Sequence, residues 1–203
     1  VNNELHLLCV AIFHRAHGLD RLLYGLTSYT GSKKIVLHLV GSGSEVSNLL
    51  HLAEDLGIPD NVVYHGFLKD NPLDDIFNLC HIGIGTLALH RNGLSEGSIL
   101  KAREYCARGI PFLYDVLDND FPPDFPYILQ PSAGESPIDI EQVVAFADDV
   151  LADLEHPQKM RHYAEKHLDW SVKMKQLKEF LEVLVGENGS ESVPKTNEPS
   201  LDI

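Results

Sequence analysis

"LHLVGSGSEVSNLLHLAEDLGIPDNVVYHGFLKD", Leu37 to Asp70, changes its hydrophobic period twice. Its first residues close the apolar run "KKIVLHLVG" (Lys33 to Gly41), which is strand-like in length and composition. "SEVSNLLHLAEDLG" then carries apolar residues at helical spacing, with Ser44 as the expected N-cap and Gly57 as the C-cap. "NVVYHG" returns to a strand. Strands that are apolar on both faces and alternate with helices belong in parallel βαβ units.

The alternation continues in both directions. Upstream, "LHLLCVAIF" (Leu5 to Phe13) reads as a buried strand and "LDRLLYGLTSY" (Leu19 to Tyr29) as a helix with Gly31 as its stop. Downstream come a short helix in "NPLDDIFNLC", a strand in "HIGIGTL", a helix in "LSEGSILKAREYCARGIP" (Leu94 to Pro111) and a strand in "IPFLYD". The expected class is α/β, a Rossmann-like doubly wound parallel sheet with C-terminal helices. Past Asp115, "DNDFPPDFPY" reads as a loop, "YILQ" as one more strand, and "IDIEQVVAFADDVLADL" opens a run of helices ending in "SVKMKQLKEFLEVLV" (Ser171 to Val185). Residues 1–185 are expected to form one domain. Residues 186–203 hold few apolar groups and read as a disordered tail.

Composition narrows the partners. A formal charge of -14 repels phosphate backbones and anionic headgroups, against general nucleic-acid or membrane-surface binding. No apolar run approaches the ~18 residues needed to span a bilayer. "VNNELHLLCVAIF" has neither a basic start nor a cleavage pattern, so it reads as the beginning of a strand in a fragment rather than a signal peptide. Cys9, Cys80 and Cys106 lack metal-ligand spacing, and the expectation is three reduced thiols, no zinc and a cytoplasmic location.

Ligands of open parallel sheets bind beyond the carboxyl ends of the strands. Four loops fall there: "FHRAHGLD", "VGSGSE", "HGFLKD" and "LALHRNGLSEGS". In the first, Arg15, His17 and Arg21 with Gly18 form a cation cluster at a helix start, suited to a diphosphate. The alternative is that Arg21 pairs with a surface carboxylate and the histidines are half-buried. In the second, Gly41 and Gly43 permit close backbone approach, but Val46 stands where a dinucleotide fingerprint has its third glycine, which argues against a nicotinamide dehydrogenase. Glycines needed only for a tight turn would look the same.

In the fourth loop, the amides of Gly97, Ser98, Ile99 and Leu100 are expected to stand free at a helix start, flanked by Glu96. Glu104 follows eight residues later, about 12 Å along a helix and within about 80° of the same face. A nucleoside diphosphate joined to a hexose has about this length. Its diphosphate would meet the amides, its hexose Glu96 and its ribose Glu104. Glycoside hydrolysis is disfavoured, since its two carboxylates stand ~5 to 9.5 Å apart.

"EGSILKAREYCARGIPFL" resembles the E-x7-E segment of retaining glycosyltransferases of the GT-B fold, family 4, and the opening stretch resembles the two preceding βα units of their donor-binding half. "HGLDRLLYGL", "LALHRNGL" and "LKAREYCARGIPF" look like a subgroup making bacterial capsule and exopolysaccharide. The likeness spans residues 5 to about 180. It implies one half of a GT-B enzyme transferring a hexose from a UDP- or GDP-linked donor to a saccharide or lipid-linked acceptor. That acceptor would be held by an absent N-terminal half, and the fragment alone would be inactive. The resemblance also implies that Glu96 meets the sugar, Glu104 the ribose, and the backbone at Gly66 and Phe67 the base. No metal or cofactor is implied, and the full-length protein would be at most peripheral at the inner membrane.

Relatives carry an Arg and a Lys on the diphosphate where this chain has Ile12 and His17, so Arg15, Arg21 and Lys101 are candidate substitutes and His17 serves only when protonated. The rival readings are a nucleotide-sugar epimerase-like domain and a non-catalytic nucleotide-binding or partner module. Trp170 and Tyr163 are expected to pack the C-terminal helices, and His65 and His81 to be hydrogen-bonded structural residues.

Overall fold

A computed structural model describes residues 3–132 and 134–188. In chain order it forms β1 (Glu4–Phe13), α1 (Leu19–Ser28), β2 (Lys34–Gly43), α2 (Val46–Asp55), β3 (Val62–Tyr64), α3 (Asp70–Leu79) and β4 (Ile82–Ile84). α4 (Leu100–Arg108), β5 (Phe112–Leu113), β6 (Ile128–Leu129), α5 (Ile140–Ala152), α6 (His156–Tyr163) and α7 (Trp170–Asn188) follow. The strands make one parallel sheet in the order β3-β2-β1-β4-β5-β6. Chain direction across the sheet therefore reverses between β1 and β4, and such a switch point is where open α/β sheets bind ligands.

Both faces of the sheet are covered, as the unbroken apolar strands require. Leu22, Leu23 and Leu26 of α1, Leu49 of α2 and Val143 and Ala147 of α5 pack on one face. Phe77 of α3, Ala102, Tyr105 and Cys106 of α4 and Met160 of α6 pack on the other. Cys9, Cys80 and Cys106 are all buried free thiols, and burial pushes the last two up to about 12.

Several boundaries differ from the sequence reading. β2 runs on to Gly43, because Ala11 pairs with Gly41 and Phe13 with Gly43, so these glycines belong to the sheet and not to a turn. The N-cap of α2 is Glu45 rather than Ser44, while Gly57 lies one residue beyond its C-cap in the left-handed region (φ 70°). α7 continues to Asn188, three residues into the stretch expected to be disordered; 189–203 lie outside the described residues. Tyr163 packs as expected, stacked on Phe121 with its hydroxyl donating to the Asp120 carbonyl at 2.6 Å. Trp170 does not: it is 72% exposed, because α7 leaves the sheet and carries its aromatic residues outward.

A chain of imidazoles crosses β1, β2 and the end of β3. His6 Nδ1 lies 2.9 Å from His38 Nε2, and His38 Nδ1 2.9 Å from His65 Nε2. The His6 amide donates to His81 Nδ1 at 3.0 Å. His65 and His81 are thus hydrogen-bonded structural residues. Burial lowers His38 to about 4, helped by His6 and His65, so the folded state holds it neutral. An unfolded chain protonates it near pH 6.5, and between there and about pH 4 the unfolded state binds the extra proton. Stability should therefore fall as pH drops through that window, by at most roughly 3 kcal/mol from this residue, and level off below it. His17 adds to the same trend. Urea midpoints between about pH 7 and 4 test this: His38→Leu should flatten the slope, and an unchanged slope would refute the assignment.

Candidate functional site

At the β1–β4 switch point the loops after β1 and β4 are bonded to each other. The Leu87 amide donates to the His17 carbonyl and the Ala88 amide to the Ala16 carbonyl, both at 3.1 Å. Gly18, at φ 65°, is packed beneath them, and an added Cβ would stand 2.9 Å from that of Ala88. The tight turn rather than open ligand contact accounts for this glycine.

The expected cation cluster does not assemble. Arg21 is 1% exposed. Its guanidinium donates to the carbonyls of Ser136 (2.8 Å), Ser132 (2.5 Å) and Leu87 and to the Asp115 carboxylate (3.3 Å). It joins α1 to the loops after β4, β5 and β6 and has no free face for a diphosphate, which corrects the sequence reading. Arg15 is exposed and lines a groove of about 530 Å³ together with His51, Asp20, Glu45, Asp55 and Arg91, the last already paired with Asp20 and Glu135. His17 is buried and lowered to about 3 by burial, with Lys101 and His14 adding to the effect. It is neutral at physiological pH and supplies no charge.

Lys101 goes the other way. One residue inside α4, it reaches across the end of β4 to place Nζ 3.8 Å from Cys9 Sγ on β1. It is half-buried, and burial lowers its pKa against a smaller opposing effect of Cys9. α4 and the loop after β1 thus bring Lys101, His17 and Cys9 together at the switch point.

The start of α4 offers fewer amides than expected. Gly97 donates to the Leu117 carbonyl at 3.1 Å, and Leu117 donates back to Ser95 at 3.0 Å, so Glu96 sits in a short parallel bridge to the loop after β5. Ile99 is extended and caps the helix, and the Ala102 amide already donates to its carbonyl. The Ser98 and Leu100 amides have no backbone acceptor among the described residues. Since Glu96 to Ile99 are not helical, the rise and face expected along a helix do not apply to the Glu96–Glu104 pair. Both carboxylates are exposed, and Glu104 accepts from Arg108 Nε at 3.1 Å.

On the neighbouring edge, Gly41 donates to the Gly66 carbonyl at 2.8 Å, fixing the loop after β3 to β2. Gly66 adopts φ 69°, a Cβ added there would meet nothing within 4 Å, and Phe67 is 74% exposed, so this corner is open. A larger groove of about 800 Å³ lies on the outer side of α4, between it and α6 and α7, and includes Ser98, Leu100 and Glu104. Its cations are already neutralised: Arg103 pairs with Asp118 and Asp120, Lys173 with Asp120, and Arg161 with Glu165. Lys101 is the cation near the start of α4 that has no carboxylate partner among the described residues.

Sequence reasoning missed Arg91. Its guanidinium donates to both Asp20 carboxylate oxygens at 2.8 Å, to the Arg15 carbonyl at 2.9 Å and to Glu135, clasping the loops after β1, β4 and β6. The "HRN" segment gave no signal, since the partners come from distant stretches. Among the described residues no group of three His, Cys, Asp or Glu could hold a metal.

The profile of the family described as "Glycosyl transferases group 1" matches residues 1–167. No curated protein matches the chain significantly. Among solved structures, the chain is similar to the catalytic domain of cholesterol-alpha-glucosyltransferase from Helicobacter pylori (TM-score 0.57, 19% identity, 81% of this chain, 97% of that one). It is also similar to Anabaena HepE in complex with UDP (0.64, 15%, 89% and 49%) and to sucrose-phosphate synthase from Thermosynechococcus elongatus (0.63, 17%, 92% and 47%). The chain spans about half the length of the last two. At these identities the likeness establishes the Rossmann-like fold of a GT-B domain.

Proposed function

The chain belongs to the group 1 glycosyl transferases, and from that premise we propose that it is the donor-binding half of a retaining, family 4 hexosyltransferase. The donor is a UDP- or GDP-linked sugar and the acceptor a growing saccharide or glycolipid of capsule or exopolysaccharide type, held by the other half. One observation carries the reading. Glu96 and Glu104 flank an α4 start that still offers the Ser98 and Leu100 amides, beside the β1–β4 switch point. A diphosphate fits those amides, a hexose Glu96, a ribose Glu104, and a base the open corner at Gly66 and Phe67.

Transfer needs charge to be stabilised on the leaving diphosphate as the sugar–phosphate bond breaks, and fixed donors aimed there act mainly in the transition state. Glu96, held by its bridge to Leu117, would orient the sugar. The reading calls for no metal or cofactor, and by itself the chain binds donor but transfers little, because the acceptor side is supplied elsewhere. It places the domain in the cytoplasm, at most peripheral at the inner membrane; no described helix is long and apolar enough to cross a membrane.

Calorimetry tests the reading. UDP or GDP should bind and NADH should not. Glu104→Ala should weaken the nucleoside diphosphate about 10- to 100-fold, the range for a lost charge-assisted hydrogen bond. Glu96→Ala should leave that affinity in place and weaken only the sugar-bearing donor. Equal affinities across wild type and both variants would remove the site assignment.

A further inference from the structure

Resting on the donor-site reading above, we propose that Lys101 is the charge partner of the donor diphosphate, and that its ammonium is completed by a proton taken up when the diphosphate binds. Among the described residues Lys101 differs from the other cations beneath the surface. Arg21, Arg91, Arg103 and Lys173 each have a carboxylate partner. Among the described residues Lys101 Nζ has only the Cys9 sulfur, a weak acceptor, in a chain with 30 acidic residues against 16 basic ones. A half-buried ammonium with three donors and no anion is costly to keep charged. It is satisfied by losing its proton or by gaining an anion. Its place over the β1–β4 switch point, one residue inside the helix that offers the free amides, selects the anion.

Among the described residues, the groups around it give Nζ no anionic partner. From β1 it faces the Cys9 thiol, which burial pushes up and keeps protonated. From the loop after β1 it faces His17, backed by His14. On its own helix Tyr105 is buried, with its hydroxyl donating to the Leu8 carbonyl, and Glu104 is engaged with Arg108. Arg108 in turn pairs with Asp74 of α3. A bound diphosphate would be the first anion in direct reach of Nζ. It restores the pKa that burial lowers, so that a proton leaves the buffer acid and ends on the Nζ lone pair.

The experiment is calorimetry of UDP binding to the full chain in buffers of different ionisation enthalpy between about pH 7.5 and 8.5, below the usual lysine value. Over that range the diphosphate is almost fully ionised, its last pKa being about 6, and the uracil imide keeps its proton, so UDP itself exchanges few protons. Wild type should take up protons increasingly as pH rises. Lys101→Arg, always charged, should keep UDP binding and lose the uptake. Lys101→Met should weaken UDP about 10- to 100-fold with no uptake. His17→Gln should keep the uptake. Uptake that survives Lys101→Arg, or vanishes in His17→Gln, overturns the assignment. Inorganic pyrophosphate separates the two readings: Lys101-dependent proton uptake with pyrophosphate but no binding of UDP or GDP overturns the donor reading and keeps Lys101. Nucleotide binding without Lys101 dependence does the reverse.

Discussion

Arg21→Met should destabilise the domain by about 3 to 5 kcal/mol, the usual cost of breaking a buried charge network from one side. The guanidinium at 1% exposure gathers three carbonyls and one carboxylate from the loops after β4, β5 and β6. Methionine fills much of the volume but leaves Asp115 without its cation and the carbonyls of Leu87, Ser132 and Ser136 without this donor. Lysine should rescue little, since a single ammonium does not reproduce a planar fork. Denaturant midpoints at constant slope measure the loss. UDP affinity of the remaining folded protein should hardly change, and a large drop in affinity with intact stability would return Arg21 to the ligand.

Gly41→Ala should be almost as damaging, at about 3 kcal/mol or more, because strain and overlap act together. Gly41 has φ 131°, and a Cβ there would lie 1.9 Å from the Ala11 carbonyl oxygen. That contact is with backbone of the paired strand, so relief requires β1 and β2 to part where they border the switch point. Gly66→Ala is the control. Its φ of 69° is also left-handed, but nothing lies within 4 Å, so only the backbone cost of about 1 to 2 kcal/mol should appear. Equal destabilisation by both substitutions would show that overlap with β1 is not the reason for Gly41.

The glycines of "VGSGSE" show how a sequence signal is read correctly as demand for unusual backbone and still misplaced. Glycine-rich turns and strand pairs that run unusually close both need a missing Cβ, and only the register of β1 against β2 separates them. The free amides of Gly97 to Leu100 failed differently. Helix starts leave amides unpaired as a rule, but Gly97 found Leu117 twenty residues on, and no local pattern announces such a bridge.

What the chain's sequence determined by itself is the alternation of strands and helices and the fold class, because both follow from hydrophobic period and end-capping over neighbouring residues. The letters also showed the pair Glu96 and Glu104 but not the geometry between them, since Glu96 lies in a bridge outside the helix. The tertiary structure alone decided which cations are available. Arg21 meets its four partners across separations of 66 to 115 residues, and Lys101 meets Cys9 across 92. Whether a charge is spent or free depends on what the packed chain places beside it and how much water it removes, and neither is a property of adjacent letters.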